Sequence, residues 1–354
     1  MRDVNKIIRI LMLALVVLVE SGCASFGSTI LVQERNNYLK AIARSREEQI
    51  LLNVVKVRFA EAPYFLDVGQ VVAGYNIEAG ASTKLSGIGE SSKSGEFGTS
   101  GKYVERPTIT FSPVEGRQFV SRLLQPIEPS LVFYLLEAGW DPELVMKIML
   151  ESVGVHRNQS SIGWRQGPAD QGFEDIIAWL GQLAADGLMR VDWKIMSPQL
   201  IAPELWISSK TEKEPGMQSD FSAVRRSLNL ASGQEYFPIV YGPGVSAGSD
   251  FRLMTRSFLQ ILLEQSAGVE ITDSQKQIGA MTSKALYYPG AHIRVRSGPD
   301  KPEDSYTSIQ VGDYWYWIDR GDIRSKEIFN FLILIFNLME SGEKPLAPML
   351  TIQG

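Results

Sequence analysis

Residues 324–340 read RSKEIFNFLILIFNLME, and their apolar side chains fall on nearly every side of a helical projection. A helix of this kind is buried on all sides or covered by a partner. At seventeen residues with flanking charges, the segment is shorter than the roughly 20 apolar residues of a membrane-spanning helix. We therefore predict a buried C-terminal helix within a folded core.

The most regular pattern elsewhere is the alternation from Val71 to Leu85, where the odd positions are mostly apolar and the even positions mostly small or polar. A period of two predicts a strand with one dry and one wet face. A linker rich in Gly and Ser, Ser86 to Gly101, separates it from a second extended stretch, Lys102 to Ser112. Together they predict a long hairpin over residues 71–111.

Two interpretations of this hairpin remain open. It packs in an antiparallel sheet over the core, or its dry face meets lipid or a neighbouring subunit. The small residues at 79–81 (Ala-Gly-Ala) would suit close packing in a ring, and a barrel strand needs only about 9–11 residues. The return strand carries Glu-Arg-Pro at 105–107, which weighs against contact with lipid.

The start of the chain has the composition of an export signal. Arg2, Lys6 and Arg9 give a basic start, and an apolar stretch follows from Ile10 to Val19. Its length fits the roughly 7–15-residue apolar centre of a secretory signal. The next residues, Glu20-Ser21-Gly22-Cys23, resemble the lipobox of bacterial lipoproteins. The resemblance implies that this cysteine receives a diacylglycerol, that the chain is cut before it, and that the new amino group is acylated.

Cys23 is the only cysteine in the 354 residues, so it has no partner for an internal disulfide. Glu20 stands where lipoboxes usually have an aliphatic residue, and an uncleaved signal anchor is the alternative to lipidation. Two or three acyl chains would satisfy the need for more than one lipid signal in stable anchoring. Ala24 follows the cysteine, which by resemblance to enterobacterial lipoproteins predicts sorting to the outer membrane.

Removal of residues 1–22 would take away three basic and two acidic residues. The remaining chain would have 32 basic and 38 acidic residues, and a net charge of −6. No basic run remains for nucleic acid, which is bound through clustered Lys and Arg. The remaining residues can bury a sizeable core. With 44% hydrophobic residues, wholesale disorder is excluded.

Helical and strand patterns are mixed along the chain, which predicts an α+β fold of helices packed with antiparallel hairpins. A long N-terminal helix is predicted from Gln33 to Ala60, with Leu39, Ile50 and Val54 on its apolar face. Asp141-Pro142 predicts the start of another helix. The segment from Phe173 to Asp186 is predicted to be helical, with an apolar side formed by Ile176, Ile177, Leu180 and Leu183.

The predicted parts of the chain are a signal peptide (1–22), a lipidated tether (23–30), a helical block with the long hairpin (31–190), and an α+β portion with an aromatic hairpin and the apolar helix (191–354). The helical block and the α+β portion are also compatible with a single domain.

One enzymatic pattern is present, since Gly244-Val245-Ser246-Ala247-Gly248 has the spacing of a nucleophile elbow. Asp273 and His292 follow in the serine, acid, histidine order of an α/β-hydrolase. An elbow needs a strand running into the turn and a helix starting at the serine. Here Gly242-Pro243 precedes the motif, and the next helix is predicted only from Phe251 to Ser266. A serine hydrolase using Ser246 is therefore the alternative, and a non-enzymatic protein is favoured.

The chain offers little for a metal or a cofactor, and we predict neither. It has two histidines, His156 and His292, without an HExxH motif or a cysteine pair. The acidic cluster Asp300, Glu303 and Asp304 lacks the order of an EF-hand loop. No phosphate-binding glycine loop is present.

The aromatic segment Tyr314-Trp315-Tyr316-Trp317 forms a predicted hairpin with Tyr306 to Val311. Alternation places both tyrosines on one face and both tryptophans on the other. One pair is expected to pack under the last helix and the other to be exposed, where aromatic side chains favour protein contacts or sugar stacking. Trp315 and Trp317 are the candidate binding residues.

Several segments spread over the chain resemble a family of uncharacterised proteobacterial lipoproteins: Ile50–Val55, Pro63–Val68, Phe111–Gly116, Thr255–Ser257, Arg294–Ser297, Tyr314–Ile318, Ser325–Lys326 and Pro348–Thr351. The resemblance implies a lipid-anchored envelope protein and brings no activity or catalytic residues. The leading hypothesis is a non-enzymatic lipoprotein that scaffolds or binds envelope proteins through the long hairpin or the aromatic strand. A subunit of an oligomeric ring or pore is the third possibility.

Overall fold

The computed structural model describes residues 26–72, 75–86, 94–105, 108–114, 116–161, 166–197, 200–212, 218–244, 246, 248–272, 275, 287–288 and 291–340. The chain divides into two compact units, Met1–Pro63 with Arg117–Gly354, and Tyr64–Gly116. Helices mixed with mainly antiparallel sheets confirm the predicted α+β class.

The helices, in chain order, are α1 (Phe26–Arg58), α2 (Arg117–Leu124), α3 (Pro129–Glu137), α4 (Pro142–Met149), α5 (Gln171–Ala185), α6 (Gln218–Ser227), α7 (Phe258–Ser266) and α8 (Ile323–Glu340). The strands are β1 (Phe65–Val72), β2 (Tyr75–Ser86), β3 (Ser94–Glu105), β4 (Thr108–Val114), β5 (Leu150–Val153), β6 (His156–Arg157), β7 (Met189–Ser197), β8 (Leu200–Ile207), β9 (Tyr236–Tyr241), β10 (Phe251–Thr255), β11 (Arg296–Gly298), β12 (Thr307–Val311) and β13 (Tyr314–Ile318).

The smaller unit is a two-stranded antiparallel ribbon. β1 pairs with β4, and β2 pairs with β3 from Tyr75↔Glu105 to Ser86↔Ser94. The predicted hairpin over residues 71–111 is therefore formed. Its second arm is longer than predicted, because Ser94 to Gly101 was expected in the linker and belongs to β3.

The larger unit contains a six-stranded sheet in the order β6-β5-β10-β9-β8-β7. β9 and β10 are parallel neighbours, and the other pairs are antiparallel. A crossover between parallel strands usually takes a dozen or more residues, but here only the loop 242–250 joins them. Gly242, Gly244 and Gly248 have positive φ values of 145°, 112° and 103°, which are readily accessible to glycine.

Helices α3, α4 and α5 contact this sheet. α4 begins as predicted, since the Asp141 side chain accepts the N–H of Glu143 at 3.0 Å and Pro142 occupies the first helical turn. α5 buries its predicted apolar face, which consists of Ile176, Ile177, Leu180 and Leu183.

The C-terminal helix α8 is buried at most of the apolar positions that its sequence predicts, whereas Ile333 and Leu334 are half-buried and Leu338 is 40% exposed. Its ring contacts come from three directions: Phe336 lies 5.5 Å from Phe258, Phe331 lies 5.1 Å from Trp140, and Phe329 lies 6.2 Å from Tyr306. Contacts around the helix explain why the sequence is apolar on nearly every side. Among the described residues, no helix is long and apolar enough to cross a membrane.

Helix α1 differs from its prediction at both ends. It begins at Phe26 rather than Gln33, so the last residues of the predicted tether are helical. Its predicted apolar face is buried only in the C-terminal half, where Ile50 and Val54 are fully buried, whereas Leu39 is 57% exposed. The apolar residues in the N-terminal half of α1, where the structure describes their side chains, therefore contribute little to the core.

The helix predicted from Phe251 to Ser266 is wrong in its first part. Phe251–Thr255 is strand β10, paired on one side with β5 and on the other with β9. The helix begins only at Phe258, because Ser257 and Gln260 form a reciprocal capping box. Neighbouring strands on both sides outweigh the local helical pattern.

Gly268, just after α7, is required by a close approach of two backbones. A Cβ atom there would lie 1.8 Å from the carbonyl oxygen of Ile293, and the carbonyl of Gly268 accepts the N–H of Val295 at 3.0 Å. We expect Gly268→Ala to lower the free energy of unfolding by about 3 kcal/mol. Gly321→Ala, where a Cβ meets nothing within 4 Å, is the control in denaturant titrations. Equal midpoints for both variants would contradict the close approach.

Candidate functional site

Two of the predicted site residues, Cys23 and Asp273, lie outside the described residues. Ser246 is buried, at 5% exposure, in the loop between β9 and β10. Its hydroxyl donates to Oδ1 of Asp250 at 2.6 Å and accepts the N–H of Gly248 at 2.9 Å. These bonds close the loop, and they use the hydroxyl proton that a general base would have to remove.

His292 is buried elsewhere, and its ring nitrogens contact other groups. Nδ1 accepts the N–H of Tyr288 at 2.9 Å. Nε2 lies 3.0 Å from both Oγ of Ser161 and Oε1 of Glu264. The structure thus places Ser246 and His292 in separate hydrogen-bond groups.

A buried polar cluster of Ser161, Glu264 and His292 is the feature that sequence reasoning missed. The hydroxyl of Ser161 donates to Oε1 of Glu264 at 2.7 Å, and its backbone N–H donates to Oε2 at 2.8 Å. Exposure is 0% for Ser161, 5% for Glu264 and 2% for His292. Serine, histidine and a carboxylate are the side chains of a hydrolytic triad. The positions of their protons decide whether these three groups can act as one.

The proton arrangement in this cluster opposes nucleophilic catalysis. Because Nδ1 of His292 accepts a backbone N–H, the neutral ring carries its proton on Nε2. Nε2 is then a donor, directed at Glu264, and cannot take the proton of Ser161. The serine hydroxyl instead donates to the same carboxylate. In a working triad the histidine accepts from the serine and donates to the acid through its other nitrogen.

Glu264 is the anionic centre of the cluster. Burial favours a raised pKa for this carboxyl group, but the hydrogen bond from His292, the charge of Arg256 and the N–H of Ser161 outweigh it and lower the pKa to about 2. Arg256 is itself buried and donates to the backbone carbonyls of Lys147 at 3.0 Å and Gln159. Burial lowers the pKa of Arg256. Glu264 is therefore a buried carboxylate that accepts hydrogen bonds from Ser161 and His292 and is stabilised by the charge of Arg256.

One local signal pointed towards this cluster. The apolar helix α7, FLQILLEQS, ends in three polar residues, Glu264, Gln265 and Ser266, which are all buried. Gln265 accepts the N–H of Ile293 at 2.9 Å and donates to the carbonyl of Ala291 at 3.0 Å. Polar side chains continuing an apolar helix predict buried hydrogen bonds, although the sequence does not reveal their partners.

The tryptophan face is the second candidate, and we define it as Trp315, Trp317, Gly298, Arg296 and Lys301. It belongs to the three-stranded sheet β11-β13-β12. Both tryptophans are half-buried. The indole N–H of Trp317 donates to Asp319 at 2.9 Å, and Lys301 lies 5.3 Å from the ring centre of Trp315. The face is aromatic with cations beside it.

The tyrosine face of the same strand packs inward. Tyr316 is 2% exposed, its ring lies edge-on 6.2 Å from Phe59, and its hydroxyl accepts a hydrogen bond from Gln275 at 2.7 Å. Burial raises the pKa of Tyr316 to about 12. The aromatic ring contact is therefore with the residue following α1, where the sequence had suggested packing under the last helix.

Among the described residues, no group of three or more His, Cys, Asp or Glu side chains could hold a metal ion. The chain matches no protein-family model, no curated protein and no solved structure.

Replacing Glu264 with Gln tests the buried cluster. We expect Glu264→Gln to lower the free energy of unfolding at pH 7 by about 3 kcal/mol, because Arg256 loses its counter-charge and an amide group faces the donors of Ser161 and His292. A carboxylate with a lowered pKa stabilises the fold above its unfolded pKa of about 4.3, and this contribution is lost as the pH falls through 2. The difference between wild type and variant should therefore shrink over that window.

Denaturant unfolding at several pH values measures this difference. Glu270→Gln is the matched control, since Glu270 pairs with Arg294 on the surface at 3.2 Å and an exposed pair contributes only about 0–1 kcal/mol. Similar losses of stability in the two variants, or a difference independent of pH, would count against a structural role for the buried carboxylate.

Proposed function

We propose that this chain is a lipid-anchored cell-envelope lipoprotein of the outer membrane that binds partner proteins as a scaffold and catalyses no reaction. The observation that carries the proposal is the position of its single cysteine. Cys23 follows an apolar segment and lies just before Phe26, where α1 begins. One continuous helix then leads from Phe26 into the folded core.

Helix α1 is suited to hold the folded body away from a membrane surface. From Arg35 to Ser45 its residues are mostly exposed, whereas from Ile50 to Val57 they are mostly buried. At 1.5 Å per residue, the stretch from Phe26 to Ser45 spans about 30 Å. A spacer of this length leaves the surfaces of the body accessible to partners.

The state of the buried serines supports a non-enzymatic role. Ser161 and Ser246 are at most 5% exposed, and both donate their hydroxyl protons to carboxylates. His292 carries its proton on the nitrogen nearest Ser161, so it is not a base for that hydroxyl. A substrate would have to enter the core to reach either serine.

The tryptophan face supports partner binding. Tryptophan and arginine are enriched where protein interfaces draw most of their binding energy. Arg296 and Lys301 give this face a positive character, although Arg296 is paired with Asp319. A partner with acidic side chains around an apolar centre fits this combination.

Two substitutions near the anchor test lipidation. Cys23→Ser should abolish incorporation of an alkyne-labelled fatty acid in bacteria producing the protein, and should leave the precursor uncut. Glu20→Leu places an aliphatic residue at the unusual position and should increase the labelled, cut fraction. Ser21→Ala, which keeps a small residue, is the control. Labelling that persists in Cys23→Ser would contradict the proposal.

Truncating the tryptophan face tests partner binding. Loss of a central interface tryptophan costs about 2 kcal/mol, or about 30-fold in affinity. We therefore expect the double variant Trp315→Ala, Trp317→Ala to lose most of its crosslinked envelope proteins when intact cells are crosslinked and analysed by mass spectrometry. Tyr241→Ala, an exposed aromatic residue of the six-stranded sheet, is the control. An unchanged set of crosslinks in a folded double variant would exclude this face.

A subunit of a ring or pore is the second candidate, favoured by the register of β2 and β3. The pairing places Glu78 opposite Lys102 and Lys84 opposite Glu96, while Ile77 is opposite Tyr103. Because directly opposite residues share a face, most charged positions fall on one face of the ribbon and most apolar positions on the other, with Glu105 and Val104 as exceptions. An isolated two-stranded ribbon is marginally stable, so a ring of such ribbons would give it neighbours. A strictly monomeric mass for the detergent-extracted chain would contradict this candidate.

A further inference from the structure

Strand β7 forms one edge of the six-stranded sheet, with β8 as its neighbour. In the part of the chain that the structure describes, no strand pairs with its other side. An edge strand presents backbone N–H and C=O groups that can pair with another chain.

Up to Ile195, after which the register between β7 and β8 shifts, the odd-numbered residues of β7 direct their backbone groups away from β8. The N–H of Val191 donates to Oε1 of Glu137 in α3 at 3.0 Å, outside the β7–β8 ladder. Trp193 lies opposite Pro203, which has no N–H to offer. Since residues in an antiparallel strand alternate between facing the partner and facing away, Val191, Trp193 and Ile195 all face outward.

The side chains along this edge are apolar on one face and charged on the other. Ile195 is 73% exposed, more than any other large hydrophobic residue described, and Trp193 is 37% exposed. The ring of Trp193 stacks on Tyr134 at 5.0 Å, and Tyr134 is 49% exposed. Asp192 and Lys194 alternate with these residues and therefore lie on the opposite face of the sheet.

We propose that two copies of this chain associate through their β7 strands, antiparallel about a two-fold axis at Trp193. β7 has nine residues, Met189–Ser197, and Trp193 is the central one. An axis there overlaps both strands along their whole length. It places Val191 opposite Ile195 of the second copy, so that outward-facing residues meet in hydrogen-bonded pairs.

The charges on β7 select this register. With the axis at Trp193, Asp192 lies opposite Lys194 of the second copy, and the symmetry repeats that pair. An axis at Asp192 would place two aspartates directly opposite each other, and one at Lys194 would do the same for two lysines. Opposite charges facing each other across strands stabilise a pair and like charges destabilise it. An axis at Val191 would also bring opposite charges together, Arg190 with Asp192, but it would overlap only residues 189–193 of each strand. Within one chain Asp192 pairs with Arg190 at 2.9 Å and Lys194 with Glu204 at 3.1 Å, so each charge would gain a second partner in the dimer. The fully overlapped register is thus the charge-complementary one with the longest pairing.

Glu137 has to move for the strands to meet, because its carboxylate occupies the N–H of Val191. Glu137 is exposed, so its side chain is free to turn to solvent. The N–H of Val191 would then pair with the carbonyl of Ile195 in the second copy. This association does not depend on lipidation or on the tryptophan face.

Charge reversal on the detergent-extracted full chain tests the proposal by sedimentation velocity over a concentration series. In either single variant, Asp192→Lys or Lys194→Asp, residue 192 of each copy faces a residue 194 of the same charge. The dimerisation affinity of each variant alone should therefore be at least about tenfold lower than that of the wild type. An equimolar mixture of the two restores complementary pairs and should dimerise, as should the double variant Asp192→Lys, Lys194→Asp. Recovery in the mixture also shows that both variants are folded.

Asp304→Lys is the matched control, since it reverses an exposed charge that pairs with Arg320 at 2.6 Å outside the six-stranded sheet, and it should dimerise like wild type. Three results would overturn the proposal: a wild-type chain that stays monomeric at every concentration, a dimer indifferent to both reversals, or an assembly larger than a dimer. The larger assembly would support the ring candidate instead.

Discussion

The carboxylate of Glu264 is the group on which the arrangement of the larger unit depends. Its hydrogen-bonding partners are Ser161 and His292, which come from segments far apart in the chain. A buried charge is costly unless it is matched and hydrogen-bonded, so α7 is held where all of these partners meet. α7 also contacts α1 and α2, and its Phe258 meets Phe336 of α8. The polar cluster and the apolar core therefore fix the position of the same helix.

The same constraint separates this cluster from a catalytic site made of identical residue types. Catalysis by serine needs a histidine nitrogen that is unprotonated and directed at the hydroxyl. The backbone N–H of Tyr288 occupies Nδ1 of His292 and so determines the opposite tautomer. The carboxylate that could have oriented the ring instead accepts from both the ring and the hydroxyl. The backbone hydrogen bond to His292 thus favours hydrogen bonds among Ser161, Glu264 and His292 over an arrangement in which the serine is activated.

Local patterns in the sequence predicted the helices and strands that are determined by residues close together in the chain. The all-round apolar composition predicted α8, the Asp141-Pro142 pair predicted the start of α4, and alternation predicted the faces of β13. The cluster at Ser161, Glu264 and His292 had only the polar end of α7 as a local signal, because its members are up to 131 residues apart. β10 was taken for a helix because Phe251, Leu253 and Thr255 run directly into a helical pattern. Its pairing with β5 and β9 depends on long-range contacts, and only the Ser257-x-x-Gln260 spacing marked the true helix start.

The edge of the six-stranded sheet is subject to a different balance. Proteins commonly protect edge strands with charged side chains or by covering the edge, and Glu137 does this for the N–H of Val191. Beyond that point Trp193 and Ile195 are exposed on the apolar face, while the charges of Asp192 and Lys194 have opposite signs. Charges of one sign would repel any second copy, whereas the opposite charges of Asp192 and Lys194 disfavour the registers centred on either residue and favour the fully overlapped one. The edge is consequently built to discriminate between registers, and this property is more useful in a pairing surface than in one that only has to avoid contact.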